Sequence, residues 1–192
     1  MTPSEEHADA LTLLAHDAAR GDRSALTELI RATQGDVARF LHPLASPGEV
    51  EDLTQETYLR AVRALPGFAG RSSVRTWLFA IARRVAADQV RYATRRPRTA
   101  ALPDWQSHAE IADPHGRSRF EEHHALTDLL RGLAEDRRDA FLMTQIAGLS
   151  YAEAAEICDC PVGTIRSRVA RAREDLVTAM RDLGHGRKAA VG

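Results

Sequence analysis

The chain of 192 residues lacks the marks of several common protein classes. It contains only two cysteines, which cannot make a disulfide framework and which suit a reducing compartment. No run approaches the roughly 20 consecutive apolar residues that a membrane-spanning helix needs. The N-terminus has neither the basic start nor the apolar core of a signal peptide. We therefore expect a soluble cytoplasmic protein.

Recognisable enzyme motifs are also missing. The sequence has no glycine-rich phosphate loop, no HExxH and no serine or cysteine nucleophile motif. Cys158 and Cys160 lack a second cysteine pair at zinc-site spacing, and His123 and His124 lie far away in the sequence. We expect buried or half-buried reduced thiols at the turn, and no catalytic centre, metal or cofactor. A redox response of these cysteines, or an all-α metal- or redox-dependent enzyme built on them, is the alternative.

Charge is strongly segregated, although the formal net charge is only −1. Residues 1–56 carry 11 acids and four arginines, a balance of −7, and residues 99–159 carry 12 acids and five arginines, again −7. Between them, residues 71–98 carry eight arginines against one aspartate, a balance of +7, and residues 162–173 carry four arginines and no acid. Clustered positive charge can bind the phosphate backbone of nucleic acid whatever the net charge. Two solvated helix faces would give the same pattern.

Helical periodicity dominates the sequence, and no convincing strand alternation is present. Apolar positions predict helices over about 8–20, 24–42, 49–65 and 73–95, separated by glycine and proline breakers. Residues 96–118 contain prolines and polar residues and show no sustained helical periodicity. We predict an all-α fold of two small helical domains joined by a flexible linker, since about 20 residues without structure are uncommon inside one domain. The predicted division is 1–96 for the first domain, 97–120 for the linker, 121–183 for the second domain and 184–192 for a flexible tail.

The sharpest local pattern predicts a helix-turn-helix in the second domain. Ser150 and Glu153 have the spacing of a capping box, and Asp159 to Pro161 interrupt the helix that follows. The next helix has a buried stripe and an opposite face of arginines and hydroxyls. Such a helix can read the major groove of DNA, where arginine bonds guanine edges. An ordinary helical hairpin with a basic outer face is the alternative.

Two long runs resemble one family. Residues 50–91 (VEDLTQETYLRAVRALPGFAGRSSVRTWLFAIARRVAADQVR) resemble domain two of bacterial extracytoplasmic-function RNA polymerase sigma factors, and residues 148–176 (GLSYAEAAEICDCPVGTIRSRVARAREDL) resemble their domain four. The resemblance implies an alternative sigma factor that binds RNA polymerase core and directs promoter-specific transcription initiation. It also implies that the chain is not an enzyme. In this family the first domain opens the minus-ten element, and the second reads the minus-thirty-five element as duplex.

The resemblance also implies partners and site residues. The polymerase contacts would be the β′ clamp helices, bound through Asp52, Gln55 and Glu56, and the β flap, bound by the second domain. The candidates for the minus-ten element are Phe68, Arg71, Arg75, Arg83, Arg84, Asp88, Gln89, Arg91 and Tyr92. The candidates for the minus-thirty-five element are Thr164, Arg166, Ser167, Arg168 and Arg171. Many members of this family are held inactive by an anti-sigma protein, which is therefore an expected partner besides promoter DNA.

Two further expectations concern aromatics and an alternative function. Capture of melted bases needs aromatic or apolar pockets beside a basic groove. Trp77 lies on the buried stripe of its helix and is expected in the core, whereas Phe79 lies off the stripe and is the candidate for an exposed aromatic. The alternative function is a free-standing dimeric helix-turn-helix regulator. It would account for residues 149–176 but gives no task to the long basic helix of the first domain.

Overall fold

In a computed structural model, the structure describes residues 3–45, 48–95 and 125–189, and every regular element among them is helical, as predicted. An N-terminal unit consists of α1 (Pro3–Ala19), α2 (Arg23–Leu41), α3 (Val50–Ala64) and α4 (Val74–Arg95). A C-terminal unit consists of α5 (125–131), α6 (Glu135–Phe141), α7 (Tyr151–Cys158) and α8 (Val162–Ala189). The predicted linker, 97–120, lies outside the described residues. None of the described helices is long and apolar enough to cross a membrane.

Helix breaks in the N-terminal unit follow the glycines and prolines of the sequence. Gly21 adopts a φ of 99°, which costs glycine little, and Asp22 then caps α2 by accepting hydrogen bonds from the backbone N–H groups of Ser24 and Ala25. Pro43 and Pro66 are each the second residue of a short 3₁₀ turn, at His42–Leu44 and Leu65–Gly67. Because both prolines stand in a first turn, their missing N–H groups are not needed there.

The apolar residues form two clusters. The smaller one joins α1, α2 and the start of α4 through Leu11, Leu29 and Val74. The larger one includes Phe40 of α2 and Val85 of α4 and continues into the C-terminal unit. A single apolar cluster therefore spans both units.

The helix-turn-helix of the C-terminal unit has the predicted local chemistry. The Ser150 hydroxyl accepts a hydrogen bond from the Glu153 N–H at 3.2 Å, and the Glu153 carboxylate accepts one from the Ser150 N–H at 2.8 Å, so the capping box is confirmed. Helix α7 ends at Asp159 in the left-handed conformation, with φ 50° and ψ 53°. This single residue reverses the chain so that α8 can begin at Val162.

The C-terminal unit has one irregular turn and one helix that is longer than predicted. Helix α6 is followed by a π-helical turn, Leu142–Ile146. Helix α8 continues to Ala189, into the segment predicted as a flexible tail from residue 184. Gly184 and Gly186 lower helix propensity, but each added residue still gains a backbone hydrogen bond, and Arg187, Lys188 and Ala189 favour helix.

The capping box provides a test of this fold. Substitution Ser150→Ala removes the side-chain acceptor for the Glu153 N–H, and we expect it to lower the free energy of unfolding by about 1 kcal/mol. Urea denaturation followed by circular dichroism measures the change. Ser167→Ala is the matched control, because its hydroxyl only donates to the Thr164 carbonyl on an exposed helix face and should change stability by less than about 0.5 kcal/mol. Equal losses in the two variants would contradict the capping role.

Candidate nucleic-acid and polymerase interfaces

The outer face of α8 carries most of the predicted minus-thirty-five residues. Ile165, Val169 and Ala172 are buried on its inner face, as the stripe predicted. Arg166, Ser167 and Arg171 are exposed on the other side, and Thr164 is half-buried at its start. The arrangement leaves two arginines and a hydroxyl directed to solvent in the first half of the helix.

Arg168 lies differently from its predicted neighbours. Its Nε is 3.1 Å from a carboxylate oxygen of Asp136, and its Nη1 donates to the Cys160 sulfur at 3.6 Å. The side chain is therefore turned back onto its own unit rather than outward with Arg171. The prediction of a shared outer face is wrong for this residue, because an acidic partner on α6 competes with solvent for the guanidinium.

Helix α4 presents one basic face to solvent. Arg84 and Tyr92 are exposed on it. The Asp88 carboxylate accepts hydrogen bonds from Arg60 of α3 at 2.6 Å and from Arg91 at 2.7 Å. These hydrogen bonds hold the pKa of the Asp88 carboxyl below its ordinary value. Asp88 thus fixes the two flanking guanidinium groups. The face combines positive charge with an accessible aromatic ring.

Two other predicted minus-ten arginines lie on a second face of α4, against the C-terminal unit. Arg83 Nε donates to Asp139 Oδ2 of α6 at 2.6 Å. Arg75 Nη2 donates to the Ala147 carbonyl at 2.7 Å and also contacts Asp36 of α2 at 3.2 Å. Arg75 and Arg83 therefore lie on a different side of α4 from the exposed Arg84. These two side chains are about one-third exposed.

Two more predicted minus-ten residues lie at the margins of these faces. Arg71 is exposed in the loop before α4. Gln89 donates to the Glu49 carboxylate at 2.7 Å, ahead of α3. The nine residues are therefore spread over a loop and two helix faces and do not form one patch.

The aromatic residues correct one expectation. Phe79, predicted as the exposed aromatic, is 2% exposed because Phe40 packs edge-on against it and the Arg75 guanidinium lies 5.9 Å above its ring. Trp77 is half-buried, as its stripe position indicated, and packs at 5.2 Å against Phe68. Phe68 is itself only 8% exposed, so its ring is inaccessible to a base in this arrangement.

The acidic start of α3 borders an open groove between α2 and α3. Asp52 and Gln55 are exposed, and Glu56 is half-buried and accepts a hydrogen bond from Arg60 at 2.7 Å. The groove has a volume of about 1000 Å³, and Gln55 lies on its lining. Acidic side chains near a helix N-terminus also interact favourably with the helix dipole.

The groove lining is mostly apolar, and Glu51 and Arg63 are its charged members. Ile30, Leu59 and Val62 contribute side chains to it, with Val62 41% exposed. Tyr58 bonds Thr33 of α2 through its hydroxyl at 2.8 Å, and burial raises its pKa to about 12, so the phenol stays neutral. An exposed apolar groove with a polar rim is typical of a protein-binding surface.

Several polar contacts between the two units had no signal in the sequence. The Glu153 carboxylate accepts hydrogen bonds from Ser73 at 3.2 Å and from Thr76 at 3.0 Å, in addition to its capping role. Arg131 donates to the Ala45 carbonyl. Asp139 belongs to the same set and is 4% exposed. The periodicity of apolar residues indicates which side of a helix is buried. It does not indicate which residue of the other unit will bond a buried polar side chain.

The cysteines lie at the turn of the helix-turn-helix. Both are free and half-buried, and burial raises the pKa of the Cys158 thiol. Within residues 3–45, 48–95 and 125–189, no group of three histidine, cysteine, aspartate or glutamate side chains could hold a metal ion.

Comparison with known proteins identifies the family. The family model of Sigma-70 region 2 matches residues 29–96, and that of Sigma-70 region 4 matches residues 123–176. The ECF RNA polymerase sigma factor SigC of Mycobacterium tuberculosis is 51% identical over 179 residues, covering 92% of this chain and 95% of the relative. The ECF RNA polymerase sigma-E factor of Escherichia coli is 35% identical over 164 residues, covering 81% of this chain and 86% of the relative.

Solved structures agree with this result. CnrH, solved in complex with the cytosolic domain of CnrY, superposes with a TM-score of 0.72 and 26% identity, covering 90% of this chain and 98% of that one. The sigma factor RpoE, solved with the anti-sigma factor NepR from Bartonella quintana, superposes with a TM-score of 0.62 and 27% identity, covering 81% and 96%. The chain belongs to the extracytoplasmic-function (ECF) family of RNA polymerase sigma factors.

Proposed function

We propose that the chain is an alternative sigma factor that binds RNA polymerase core and directs promoter-specific transcription initiation in the cytoplasm. The observation that carries this proposal is the match to both sigma regions, in order, on the two helical units, with SigC related across 92% of the chain. The chain itself catalyses no reaction in this proposal, since nucleotide addition belongs to the polymerase. Initiation needs three surfaces, for core, for melted DNA and for duplex DNA, and each has a candidate here.

The C-terminal unit is the candidate reader of the minus-thirty-five element. Arg166, Ser167 and Arg171 lie exposed on α8 and can enter a major groove, with Thr164 at the start of the helix. Arginine there can make two hydrogen bonds to one guanine, which discriminates against the wrong base by about 1–3 kcal/mol. We assign Arg168 to holding the turn through Asp136 and Cys160, with any DNA contact secondary.

The N-terminal unit is the candidate for opening the minus-ten element. The accessible part of this surface consists of Arg71, Arg84, Arg91 and Tyr92, where guanidinium groups can hold phosphates while the phenol ring stacks on a base. Asp88 and Gln89 would orient this surface through their hydrogen bonds. Phe68 would pack against Trp77. Arg75 and Arg83 would contact DNA when they no longer bond the C-terminal unit.

The groove between α2 and α3 is the candidate docking site for core. Asp52, Gln55 and Glu56 would meet basic side chains of the β′ clamp helices at its rim, while its apolar lining would bury apolar residues of the same helices. The β flap would dock on the C-terminal unit. The structural relatives were solved with CnrY and with an anti-sigma factor, so we also propose an anti-sigma protein as a regulator of this chain.

Reconstituted transcription tests the proposed function. The purified chain is added to RNA polymerase core and genomic DNA, and run-off products are mapped. We expect discrete start sites that require both core and the chain. If the chain alone bound a palindromic duplex tightly and core added nothing, a free-standing dimeric regulator would be the correct function instead.

Loss of one recognition-helix arginine should weaken promoter binding selectively. We expect Arg171→Ala to weaken holoenzyme binding to the minus-thirty-five element by about tenfold, since one bidentate contact is lost, while affinity for core is unchanged. Arg137→Ala is the matched control, because it removes the same charge from a side chain paired with Asp175. Fluorescence anisotropy with duplex DNA measures both. A loss in the control as large as that in Arg171→Ala would remove Arg171 from the reading surface.

Charge reversal at the start of α3 should impair assembly with core. We expect Asp52→Arg to weaken core binding by at least about tenfold, because a like charge then faces the basic partner. Glu28→Arg reverses the charge of another exposed helical residue and should leave core binding within about twofold. Surface plasmon resonance with immobilised core compares them. Normal assembly of Asp52→Arg would exclude Asp52 from the interface.

A further inference from the structure

We propose that Arg60 is a positioning residue shared by the core interface and the minus-ten surface. It bonds Glu56 of the core interface directly, and it orients Arg91 of the minus-ten surface through Asp88. The four side chains form a continuous chain of hydrogen bonds from α3 to α4. This inference rests on the proposed assignment of Glu56 to core binding and of Arg91 to minus-ten DNA, and Arg60 belongs to neither predicted set.

Asp88 is the feature that calls for an explanation. It is the one acidic residue among residues 71–98, which carry eight arginines. A carboxylate beside a phosphate-binding surface lowers the positive potential there, so by its charge alone Asp88 opposes DNA binding. Its Oδ2 accepts a hydrogen bond from Arg60 at 2.6 Å, and its Oδ1 accepts one from Arg91 at 2.7 Å. Each oxygen binds a different guanidinium group, so the carboxylate is fixed from both sides.

Arg60 can hold two carboxylates because its donors point in fixed directions. Nε donates to Glu56 Oε1 at 2.7 Å, one turn earlier on α3, and Nη1 donates to Asp88 Oδ2 on α4. The guanidinium group is planar and rigid, so these two bonds fix the two carboxylates relative to each other. The same hydrogen bonds raise the pKa of Arg60 and lower the pKa of Asp88, so both groups stay charged.

Both ends of the chain of hydrogen bonds are accessible from solvent. The Arg91 side chain is 63% exposed, so a DNA phosphate can reach its guanidinium group. The Glu56 side chain is 40% exposed, so a basic side chain of core can reach its carboxylate. Arg60 lies between them and touches neither partner in this proposal. It acts on core and on DNA through the residues that it orients.

The effect of these bonds is on orientation more than on stability. All four side chains are at least 37% exposed, and ion pairs of this kind add little to the free energy of unfolding. An arginine that is already held in one orientation loses less conformational entropy when it binds a phosphate, and the gain appears in the affinity for DNA. Loss of Arg60 should therefore weaken both interfaces and leave the fold intact.

The test uses holoenzyme with core at a saturating concentration for every variant. Arg60→Met keeps most of the side-chain length and removes both hydrogen bonds, and Asp88→Asn keeps the shape and removes the charge. Arg137→Met and Asp175→Asn are the matched controls, because they make the same changes in an ion pair of the C-terminal unit, at 2.7 Å. The probe is fluorescent single-stranded DNA from the minus-ten region of a promoter mapped by run-off transcription with the wild-type holoenzyme.

We expect Asp88→Asn and Arg60→Met each to weaken probe binding by at least about fivefold, while both controls stay within about twofold of the wild type. The sign of the Asp88→Asn effect is decisive. If Asp88 acted only through its charge, removal of that charge would tighten binding to the negatively charged probe. Tighter or unchanged binding by Asp88→Asn would therefore overturn the positioning role.

A double-mutant cycle with Arg91→Ala shows whether the effect passes through Arg91. Arg91→Ala alone should weaken probe binding by about tenfold, because a charge-assisted contact with a phosphate is lost. Adding Asp88→Asn or Arg60→Met to it should change binding by less than about twofold, because the side chain that they orient is already gone. Losses that multiply would show that Arg60 and Asp88 act independently of Arg91, against the proposal.

The same variants separate this proposal from the assignment on which it rests. If Arg91→Ala binds the probe like the wild type, the minus-ten assignment of Arg91 is wrong and its positioning by Arg60 falls with it. If Arg91→Ala loses affinity and Arg60→Met does not, the minus-ten assignment stands and only the positioning role is wrong.

Affinity for core tests the other end of the chain of hydrogen bonds. We expect Arg60→Met to weaken core binding by at least about threefold and Asp88→Asn to leave it within about twofold, because only Arg60 bonds Glu56. Equal core affinities of Arg60→Met and the wild type would contradict the shared role. Arg60→Lys, which bonds one carboxylate at a time, decides both tests if Arg60→Met does not fold. It should lose affinity for core or for the probe, and wild-type affinity for both would overturn the proposal.

Discussion

A buried carboxylate needs a cation beside it to stay ionised, and in this chain the pair of Asp139 and Arg83 links the two halves. Asp139 is 4% exposed on the C-terminal unit, and Arg83 of the N-terminal unit donates to it at 2.6 Å. Glu153 and Arg75 extend the same kind of bond along α4. The packing of the two units therefore engages Arg75 and Arg83 in hydrogen bonds and leaves Arg84 and Arg91 exposed.

Helix α4 presents arginines on two of its faces. Its solvent face, with Arg84 and Arg91, is accessible in this structure, whereas Arg75 and Arg83 are engaged by the C-terminal unit. The α8 face with Arg171 is accessible as well.

Local features of the fold follow from the sequence, and contacts between units do not. Ser150 and Glu153 form the predicted capping box because its chemistry is contained within four residues. Phe79 was predicted at the surface from its own helix, but Phe40 from another helix covers it. Arg168 was expected outward, and Asp136 turns it inward. The groove between α2 and α3 escaped prediction for the same reason, since it depends on how two helices are spaced.

The central claim is that the two units are packed together in the free chain through contacts such as the Arg83–Asp139 ion pair. A distance measured between fluorophores on α2 and α8 tests it most directly, using Arg31→Cys and Glu174→Cys in a chain with Cys158→Ser and Cys160→Ser. The account predicts one short distance in the free chain. A long distance, or a mixture of short and long distances, in the free chain would contradict it.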